Sequence, residues 1–273
     1  MTFEYMLAPL EDMTGNAFRT ICHKYGADLT FTPMAKIESL AKRNASTWTR
    51  LDFNDSTPTS IQLIGAREMF LSKFLKTFEP SPGFIGFNLN LGCPSQNIIS
   101  AGHGCAMVKR IAKTKKLLKI ISNHGYNSSI KLRTGLNRYE KEKKVYLNLI
   151  NSVDAEFFIL HARYGTQTYE SPPDFSVYEE CVKTGKRIIA NGDIKDKSQI
   201  EFLKGIGVEG AMIGRAAVNN PAIFDDLKGI SHPPLDDIFA EFMKLSESYQ
   251  EPYKFRKNII KHIQIPKTYH DGG

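Results

Sequence analysis

The sequence predicts an α/β fold in which a parallel sheet closes into a (β/α)₈ TIM barrel, followed by a short helical extension. Short apolar runs alternate with segments whose apolar residues recur at helical spacing. About eight such units fit within the 273 residues. An open doubly wound sheet is the competing arrangement. However, the first apolar run is not followed by Gly-x-Gly-x-x-Gly, so the sequence does not support a Rossmann nucleotide site.

The apolar runs are predicted to be the strands of the barrel, with helices between them. One intervening segment places Phe70, Phe74 and Phe78 at helical spacing, as an amphipathic helix packed on a sheet requires. In chain order, the predicted strands span residues 5–10, 28–33, 60–64, 84–90, 129–133, 157–161, 187–191 and 210–214.

Polar or turn residues stand at the C-terminal ends of nearly all the predicted strands, and Gln62 lies inside the third. In a closed parallel barrel these ends meet at one face, and the active sites of barrel enzymes lie at that face. So many converging polar residues are hard to explain by packing. They are Glu11, Gln62, Asn90, Cys93, Lys131, Arg133, His161, Arg163, Asn191, Gly192, Asp193, Gly214 and Arg215.

The stretch around Cys93 is the strongest candidate for chemistry. Gly92 and Cys93 follow the strand that ends at Asn90, and Pro94 stops that strand from continuing, so a thiol stands on the turn. The glycine-rich run 101–106 follows and would let a flat ligand approach the backbone closely. For this stretch alone, an ordinary buried cysteine is an equally good interpretation.

The later strand ends suggest how an anionic ligand would be held. Gly214 and Arg215 open a short helix, which is typical of the phosphate site after the last two strands of a barrel. Lys131 is expected to point inward, where an ammonium group needs an anionic partner. An electron-rich ring that becomes negative on reduction would serve, and so would a buried carboxylate. His161 is expected either to donate to the same ring or to be an ordinary hydrogen-bonded core histidine.

Charge is unevenly distributed along the chain. The formal net charge is +7, and neither residues 80–139 nor residues 253–270 contain Asp or Glu. Two basic blocks beside one candidate site favour a polyanionic partner, although most lysine runs are solvated helix faces. Nucleic-acid contacts are expected from Arg19, Lys109, Arg110, Arg133, Lys254, Arg256, Lys257 and Lys261.

Cysteine spacing and hydropathy narrow the class of protein further. The four cysteines show no Cys-x-x-Cys spacing, so we expect no metal, no disulfide framework and a reducing, cytoplasmic setting. No apolar run of about 18 residues and no signal peptide is visible, so we expect no membrane partner. Residues 230–234 are predicted to be a linker. Helices are predicted over 235–249 and 253–265, and these should dock on the barrel because two helices bury little surface alone.

Several of these segments, together with others along the chain, resemble motifs that occur in the same order in the tRNA-dihydrouridine synthases. These are flavin enzymes with an FMN-binding barrel and a C-terminal helical domain. The resemblance runs from about residue 7 to residue 224, and its most diagnostic element is Asn90-Leu91-Gly92-Cys93-Pro94. The other matching segments are Ala8-Pro9-Leu10, Asn16-Ala17-Phe18-Arg19, Gln62, Gly102-His103-Gly104, Lys131-Leu132-Arg133-Thr134-Gly135, His161-Ala162-Arg163, Asn191-Gly192-Asp193 and Ile213-Gly214-Arg215-Ala216.

The resemblance implies a role for each matching residue. Gln62 would hydrogen-bond the flavin ring, Asn90 would lie near flavin and substrate, and Lys131 would face the N1/O2 edge of the ring. Cys93 would be the catalytic acid. Pro9, Leu10 and Glu11 would line the flavin. The phosphate end would be held by His161, Arg163, Asn191, Gly192, Asp193, Gly214 and Arg215.

The resemblance also implies a reaction and a division of the chain. NADPH or NADH would reduce FMN, hydride would pass to C6 of a tRNA uridine that has left the stack, and Cys93 would give a proton to C5. Residues 1–229 would form the FMN-binding barrel, and residues 230–273 a short, truncated tRNA-binding extension. We expect the protein to be a monomer.

The chain departs from the family pattern in two places. Residues 161–166 read His-Ala-Arg-Tyr-Gly-Thr where the family usually has His-Gly-Arg-Thr, and the helical tail is shorter than usual. Two other functions stay open on the sequence: a small-molecule flavin oxidoreductase of the dihydroorotate dehydrogenase kind, and a non-catalytic RNA-binding barrel.

Overall fold

The computed structural model describes residues 2–51 and 53–263. The last part of the predicted extension, 264–273, lies outside the described residues, as does the end of the predicted helix 253–265. The strands are β1 (Glu4–Leu7), β2 (Thr30–Phe31), β3 (Ala35–Lys36), β4 (Thr59–Ile64), β5 (Phe84–Leu91), β6 (Ser128–Arg133), β7 (Phe158–His161), β8 (Ile188–Asn191) and β9 (Gly210–Ile213).

Fourteen α-helices and two 3₁₀ turns, Thr49–Leu51 and Gly104–Met107, connect and follow the strands in the described part of the chain. The helices are α1 (Asn16–Lys24), α2 (Ile37–Ala41), α3 (Ala45–Trp48), α4 (Glu68–Leu75), α5 (Gln96–Ser100), α6 (Ile111–Asn123), α7 (Arg138–Glu142), α8 (Val145–Ser152), α9 (Val177–Val182), α10 (Lys197–Gly205), α11 (Arg215–Asn219), α12 (Ile223–Lys228), α13 (Leu235–Ser248) and α14 (Tyr253–His262).

The sheet is parallel throughout and closes on itself. Its strand order is β1-β9-β8-β7-β6-β5-β4-β2, with β3 paired to the far end of β4. A parallel bridge between Met6 and Leu29 joins β1 to β2 and completes the ring. Each of the eight predicted strands overlaps a strand of this barrel, so the predicted (β/α)₈ fold is confirmed.

The differences from the predicted strands have local causes. The first strand ends at Leu7 rather than Leu10, because Pro9 has no N–H to donate and Leu10 starts a turn in which Thr14 donates to its carbonyl. The short strand β3 was not predicted, since two residues carry too little periodicity to be recognised.

The inside of the barrel is apolar on one side and polar on the other. Met6, Phe31, Ile159 and Met212 belong to the apolar cluster contributed by β1, β2 and the last three strands. The interior positions of β4 to β6 instead carry amide, hydroxyl and ammonium groups. A second, larger apolar cluster lies between the sheet and the surrounding helices. Polar groups inside a closed barrel must be hydrogen-bonded, which orders the floor of the site.

The two C-terminal helices dock on the barrel, next to its mouth. Phe242 of α13 packs edge-to-face against Phe18 of α1, with 6.2 Å between ring centroids. Glu251 accepts a hydrogen bond from Ala17 N–H at the start of α1. Asn258 of α14 donates to the carbonyl of Asp12, in the loop after β1. None of the helices in the described ranges has the length and apolar character that crossing a bilayer demands.

We predict that α13 unfolds together with the barrel. Replacing the fully buried Phe242 by alanine should destabilise the whole fold by about 3–5 kcal/mol, because it leaves a cavity against Phe18. The measurement is urea unfolding followed by far-UV circular dichroism. The exposed Lys244 of the same helix provides the control, and its change to alanine should alter stability by less than about 0.5 kcal/mol. An unchanged main transition in Phe242→Ala would mean that α13 contributes nothing to the cooperative unit.

Candidate active site

A cavity of about 600 Å³ opens at the carboxyl ends of the strands. Its volume lies in the range typical of cofactor and substrate sites. The loop after β1, the ends of β4 to β9 and the start of α11 form its wall. The lining residues are Ala8, Pro9, Leu10, Glu11, Met34, Gln62, Asn90, Gly92, Cys93, Pro94, Lys131, Arg133, His161, Tyr169, Asn191, Gly192, Asp193, Ile194, Lys195, Met212, Gly214, Arg215, Ala216 and Asn219.

A chain of side-chain amides rises through the polar side of the barrel to the cysteine loop. Asn88 and Asn90 are two residues apart on β5 and therefore point the same way. Asn88 donates to Ser129 Oγ (2.9 Å) and accepts from Gln62 Nε2 (2.8 Å), while Gln62 Oε1 accepts from Asn90 Nδ2 (2.8 Å). Asn90 Oδ1 then accepts the backbone N–H groups of Gly92 and Cys93. The interior network therefore fixes the start of the loop.

Cys93 is partly exposed and lines the cavity. The other cysteines, Cys22, Cys105 and Cys181, are buried. Gly104 folds closely over the Cys93 loop with φ near +58°, and a Cβ there would lie 2.4 Å from the Cys93 carbonyl oxygen. A glycine is therefore required at this turn. Of the four cysteines, Cys93 alone has access to a ligand in the cavity.

Lys131 points into the cavity without a carboxylate partner among the described residues. Its Nζ donates to Asn191 Oδ1 at 2.9 Å, and Asn191 in turn donates to the Met212 carbonyl. Burial, followed by the positive charge of the neighbouring Arg133 guanidinium, lowers the pKa of Lys131 from its ordinary value to about 7. The buried-carboxylate partner considered from the sequence is wrong for the described residues, which supply Lys131 with only an amide oxygen.

His161 is buried at the end of β7 and is electrically neutral. Burial, followed by the positive charges of Lys131 and Arg133, lowers its pKa to about 2. Its Nδ1 atom is buried and has no hydrogen-bond partner within the described residues. The interpretation as a hydrogen-bonded core histidine is not supported. An unpartnered buried ring nitrogen in a cavity wall is what a bound ligand would satisfy.

The far end of the cavity holds a cluster of guanidinium groups around one carboxylate. Asp193 forms ion pairs with both Arg163 and Arg215. Arg215 also stacks on the Tyr169 ring, with Cζ 3.9 Å from the ring centroid. Burial raises the pKa of Asp193, but the hydrogen bonds and charges of the two arginines outweigh it and lower the pKa overall. With Lys131 and Arg133 nearby, positive charge exceeds negative charge on this wall, which suits a phosphate.

Comparison with known proteins matches the chain to one family. The sequence profile of the dihydrouridine synthases (Dus) covers residues 6–269. The chain belongs to the dihydrouridine synthase family. The family resemblance inferred from the motifs is therefore confirmed.

Three relatives show how far the similarity of this family member extends. A rat protein named tRNA-dihydrouridine(47) synthase [NAD(P)(+)]-like is 27% identical over 235 residues, which are 83% of this chain and 36% of the relative. A probable tRNA-dihydrouridine synthase of Helicobacter pylori is 27% identical over 268 residues, 93% of this chain and 80% of that protein. The tRNA-dihydrouridine synthase B of Pseudomonas putida is 26% identical, over 82% of this chain and 67% of its own length. The chain thus spans about a third of the rat protein.

The structure of this family member brings nearly all the predicted cofactor residues to the one cavity. Arg163 is the exception, because its fully buried side chain lies behind Asp193 and does not line the wall. The predicted direct contact between Arg163 and a phosphate is therefore wrong. Arg163 instead forms an ion pair with the Asp193 carboxylate, which in turn forms an ion pair with Arg215. The residues that do line the cavity are Pro9, Leu10, Glu11, Gln62, Asn90, Cys93, Lys131, His161, Asn191, Gly192, Asp193, Gly214 and Arg215.

Sequence reasoning missed other lining residues. Met34, Tyr169, Lys195 and Asn219 line the cavity. Met34 and Lys195 had a usable signal, because Met34 directly follows the predicted strand 28–33 and Lys195 lies in the loop after the predicted strand 187–191. Tyr169 and Asn219 lie further from a strand end, so their places depend on how the loops fold back over the mouth.

One of the predicted nucleic-acid residues is contradicted by the structure. Arg19 is buried, with guanidinium nitrogens donating to the Thr14 carbonyl and to Asn16 Oδ1, so it organises the start of α1 instead of meeting a phosphate. Arg133 is also buried among the mouth residues and donates to the Tyr164 carbonyl, although it does line the cavity.

The other predicted nucleic-acid residues lie at the protein surface, several of them beside acids. Lys109 pairs with Glu140 and Lys254 with Asp12, while Arg256 Nη1 lies 3.8 Å from Glu247. The exposed Arg110, Lys257 and Lys261 complete the set.

Part of the first basic block is an ordinary solvated helix face. Lys113 and Lys116 of α6 lie within 4 Å of Glu68 on α4, at 3.0 and 3.8 Å. An acid-free stretch of sequence therefore obtains its carboxylates from a neighbouring helix, and its charge is partly neutralised.

We predict that Asp193→Asn destabilises the protein at neutral pH by about 1.5–3 kcal/mol, because Arg163 keeps its buried charge and loses a charged acceptor. The native pKa of Asp193 is lowered, so its contribution is present above the ordinary pKa near 3.9 and disappears as pH falls below it. The difference from wild type should accordingly shrink between pH 5 and pH 3.

Thermal or urea unfolding across that pH range measures the effect. Asp154→Asn is the matched control, because Asp154 is fully exposed and its ion pair with Lys186 should contribute little. A pH-independent loss in Asp193→Asn would contradict the assignment to the ion pairs.

Proposed function

We propose that this protein is a flavin-dependent tRNA-dihydrouridine synthase that reduces the C5–C6 double bond of specific uridines in tRNA. The observation that carries the proposal is a partly exposed thiol, Cys93, in the same barrel-mouth cavity as the inward ammonium of Lys131. The names of its relatives support the substrate and reaction class.

FMN is the cofactor that we propose for the cavity. Within residues 2–51 and 53–263, His161 Nδ1 is buried without a partner, and Lys131 faces the cavity with only an amide oxygen as acceptor. Both would gain a partner from the polar atoms of an isoalloxazine ring. The phosphate would lie beside Gly192, Gly214 and Arg215, where positive charge exceeds negative charge.

When bound, FMN reduced by NADPH or NADH would supply the hydride. The chain's own residues have separate tasks around it. Cys93 would hold the proton that C5 of the uracil receives, and Lys131 would stabilise negative charge on the flavin ring. Asn90 fixes the backbone of the Cys93 turn through the N–H groups of Gly92 and Cys93. The neutral state of His161 makes it a hydrogen-bond partner rather than a competing cation.

The tRNA would lie across the mouth, because a uridine reaches a cavity only after it has left the stack. Arg110 lies at the exposed end of the loop that follows Cys93, and Lys257 and Lys261 lie on α14. Since Asn258 and Lys254 of α14 contact Asp12, this helix stands next to the wall of the mouth. We propose that α14 and the Cys93 loop contact phosphates on opposite sides of the extruded base. We further propose a cytoplasmic enzyme, as its substrate class suggests, and that it acts as the monomer expected from the sequence.

The deciding experiment incubates the protein with FMN, NADPH and unmodified tRNA, followed by mass analysis of nucleosides. A gain of two hydrogens on specific uridines is expected. Cys93→Ala should retain flavin and lower turnover about 10²- to 10⁴-fold, the usual contribution of a general acid.

The outcomes separate the proposed enzyme from the two alternatives. Equal turnover of free uridine and tRNA would indicate a small-molecule oxidoreductase. Tight tRNA binding without NADPH oxidation would indicate a binding barrel. Full activity in Cys93→Ala would remove the acid role.

We also predict that FMN affinity falls as pH rises from 7 to 9. The pKa of Lys131 in the free protein is lowered to about 7, whereas an electron-rich ring edge favours the ammonium form. Binding above pH 7 therefore takes up a proton, and Kd should rise by up to about tenfold per pH unit. The phosphate keeps its full charge in this range, so it adds no slope.

Quenching of flavin fluorescence measures Kd at each pH. Lys131→Met should bind more weakly with a flat profile, while Lys195→Met, which removes another cation lining the cavity, should keep the slope. An unchanged slope in Lys131→Met would show that another group titrates.

A further inference from the structure

Every backbone polar group of Gly92 and Cys93 has a hydrogen-bond partner. Their two N–H groups donate to Asn90 Oδ1, at 3.0 and 2.9 Å. Their two carbonyl oxygens both accept hydrogen bonds from Cys105. The Cys105 thiol donates to the Gly92 oxygen at 3.1 Å, and the Cys105 backbone N–H donates to the Cys93 oxygen at 3.1 Å. The turn that carries Cys93 is thus held on one side by an amide and on the other by a second cysteine.

We propose that Cys105 is a positioning residue for the proton donor: its thiol, which donates a hydrogen bond to the Gly92 carbonyl, fixes the position of Cys93 relative to the reacting base. The inference rests on the proposed function and adds a residue to it. Cys105 is fully buried and does not line the cavity, so it acts through Cys93 and not on a ligand.

The loop needs such a contact because its glycine residues give its backbone many accessible conformations. Gly92, Gly102 and Gly104 surround the turn, and the last two have φ of +76° and +58°. Glycine gives a loop the reach to fold over a ligand but adds many alternative backbone states. Hydrogen bonds to the peptide groups on each side of the Gly92–Cys93 bond remove those alternatives. Proton transfer depends steeply on such placement.

Cys105 itself is firmly held. It belongs to the 3₁₀ turn Gly104–Met107, and its sulfur packs against the loop after β7, where a Cβ on Gly165 would lie 3.2 Å from Sγ. Gly165 falls in the segment that departs from the usual family pattern. The thiol therefore joins the loop after β5 to the loop after β7, and the missing side chain at Gly165 leaves room for it.

The two thiols differ in the property that their roles require. Burial raises the pKa of Cys105 to about 12, against the smaller opposing effect of Arg133, so this thiol keeps its proton and remains a donor. Cys93 is exposed to the cavity and can exchange its proton with a substrate. Cys105 therefore stays protonated as a hydrogen-bond donor, whereas Cys93 is the thiol that transfers a proton.

Three variants of the full chain, loaded with FMN, test the proposal. Cys105→Ala removes the donor, and Cys105→Ser keeps a donor on a shorter bond. Cys181→Ala removes a buried thiol from α9 on the outer side of the barrel and controls for lost core volume. The rates to be compared are reduction of FMN by NADPH, reoxidation by tRNA, and alkylation of Cys93 by iodoacetamide, read by mass spectrometry as a function of pH.

We expect Cys105→Ala to slow reoxidation by tRNA about tenfold to a hundredfold, the cost of roughly an ångström of misplacement. Reduction by NADPH should stay at the wild-type rate, because it does not use Cys93. Alkylation of Cys93 should become several-fold faster, since the turn gains access to solvent. Cys105→Ser should restore both rates to within about threefold of wild type, and Cys181→Ala should match wild type throughout.

Equal reoxidation and alkylation rates in Cys105→Ala and Cys181→Ala would overturn the proposal and leave Cys105 as core packing. A serine variant as slow as the alanine variant would also overturn it, because the hydrogen bond would then not be the cause. A wild-type protein that never oxidises NADPH with tRNA refutes the proposed function instead. In that case the alkylation rates of the three variants still decide whether Cys105 positions Cys93.

Discussion

Closure of a parallel sheet is the constraint on which this structure depends. Eight strands run the same way around the barrel, and the bridge between Met6 and Leu29 completes the ring. Their carboxyl ends consequently lie at one mouth, whatever their distance in sequence. Lys131 donates to Asn191, 60 residues away, only because β6, β7 and β8 are consecutive in the ring and in register. The cavity is a result of this closure rather than of any single loop.

The second organising feature is an excess of positive charge at that mouth. Lys131 has an amide oxygen as its acceptor, and Arg163 and Arg215 share the one carboxylate of Asp193. The same cations keep His161 neutral, by adding to the effect of burial on its pKa. A cavity that concentrates cations and leaves a buried ring nitrogen unpartnered is prepared for an anionic, hydrogen-bonding ligand. That preparation links the electrostatics of the barrel to the chemistry proposed for Cys93.

Linear charge patterns were a weaker guide than strand ends. The acid-free stretch 80–139 suggested a continuous basic surface, yet Glu68 neutralises part of it from another helix, and Glu140, 31 residues away in sequence, pairs with Lys109. Arg19 stood in a recognised motif, but its side chain points into the protein. A charge along the chain carries no information about which way its side chain faces or which acid approaches it in space. Strand ends are different, because the architecture itself fixes where they go.

The sequence alone determined the barrel and the chemical identity of its mouth. The spacing of apolar runs sets the strands, and the motif residues Asn90, Cys93, Lys131 and Asn191 all line the cavity. Only the tertiary structure decided their partners. In the folded chain, Arg163 forms an ion pair with Asp193 and does not line the cavity, whereas Tyr169 and Met34 do. The Cys105 thiol donates a hydrogen bond to the Gly92 carbonyl. The physical reason is that periodicity encodes burial and local geometry. Hydrogen-bond partners between loops depend on distances that exist only after the sheet has closed.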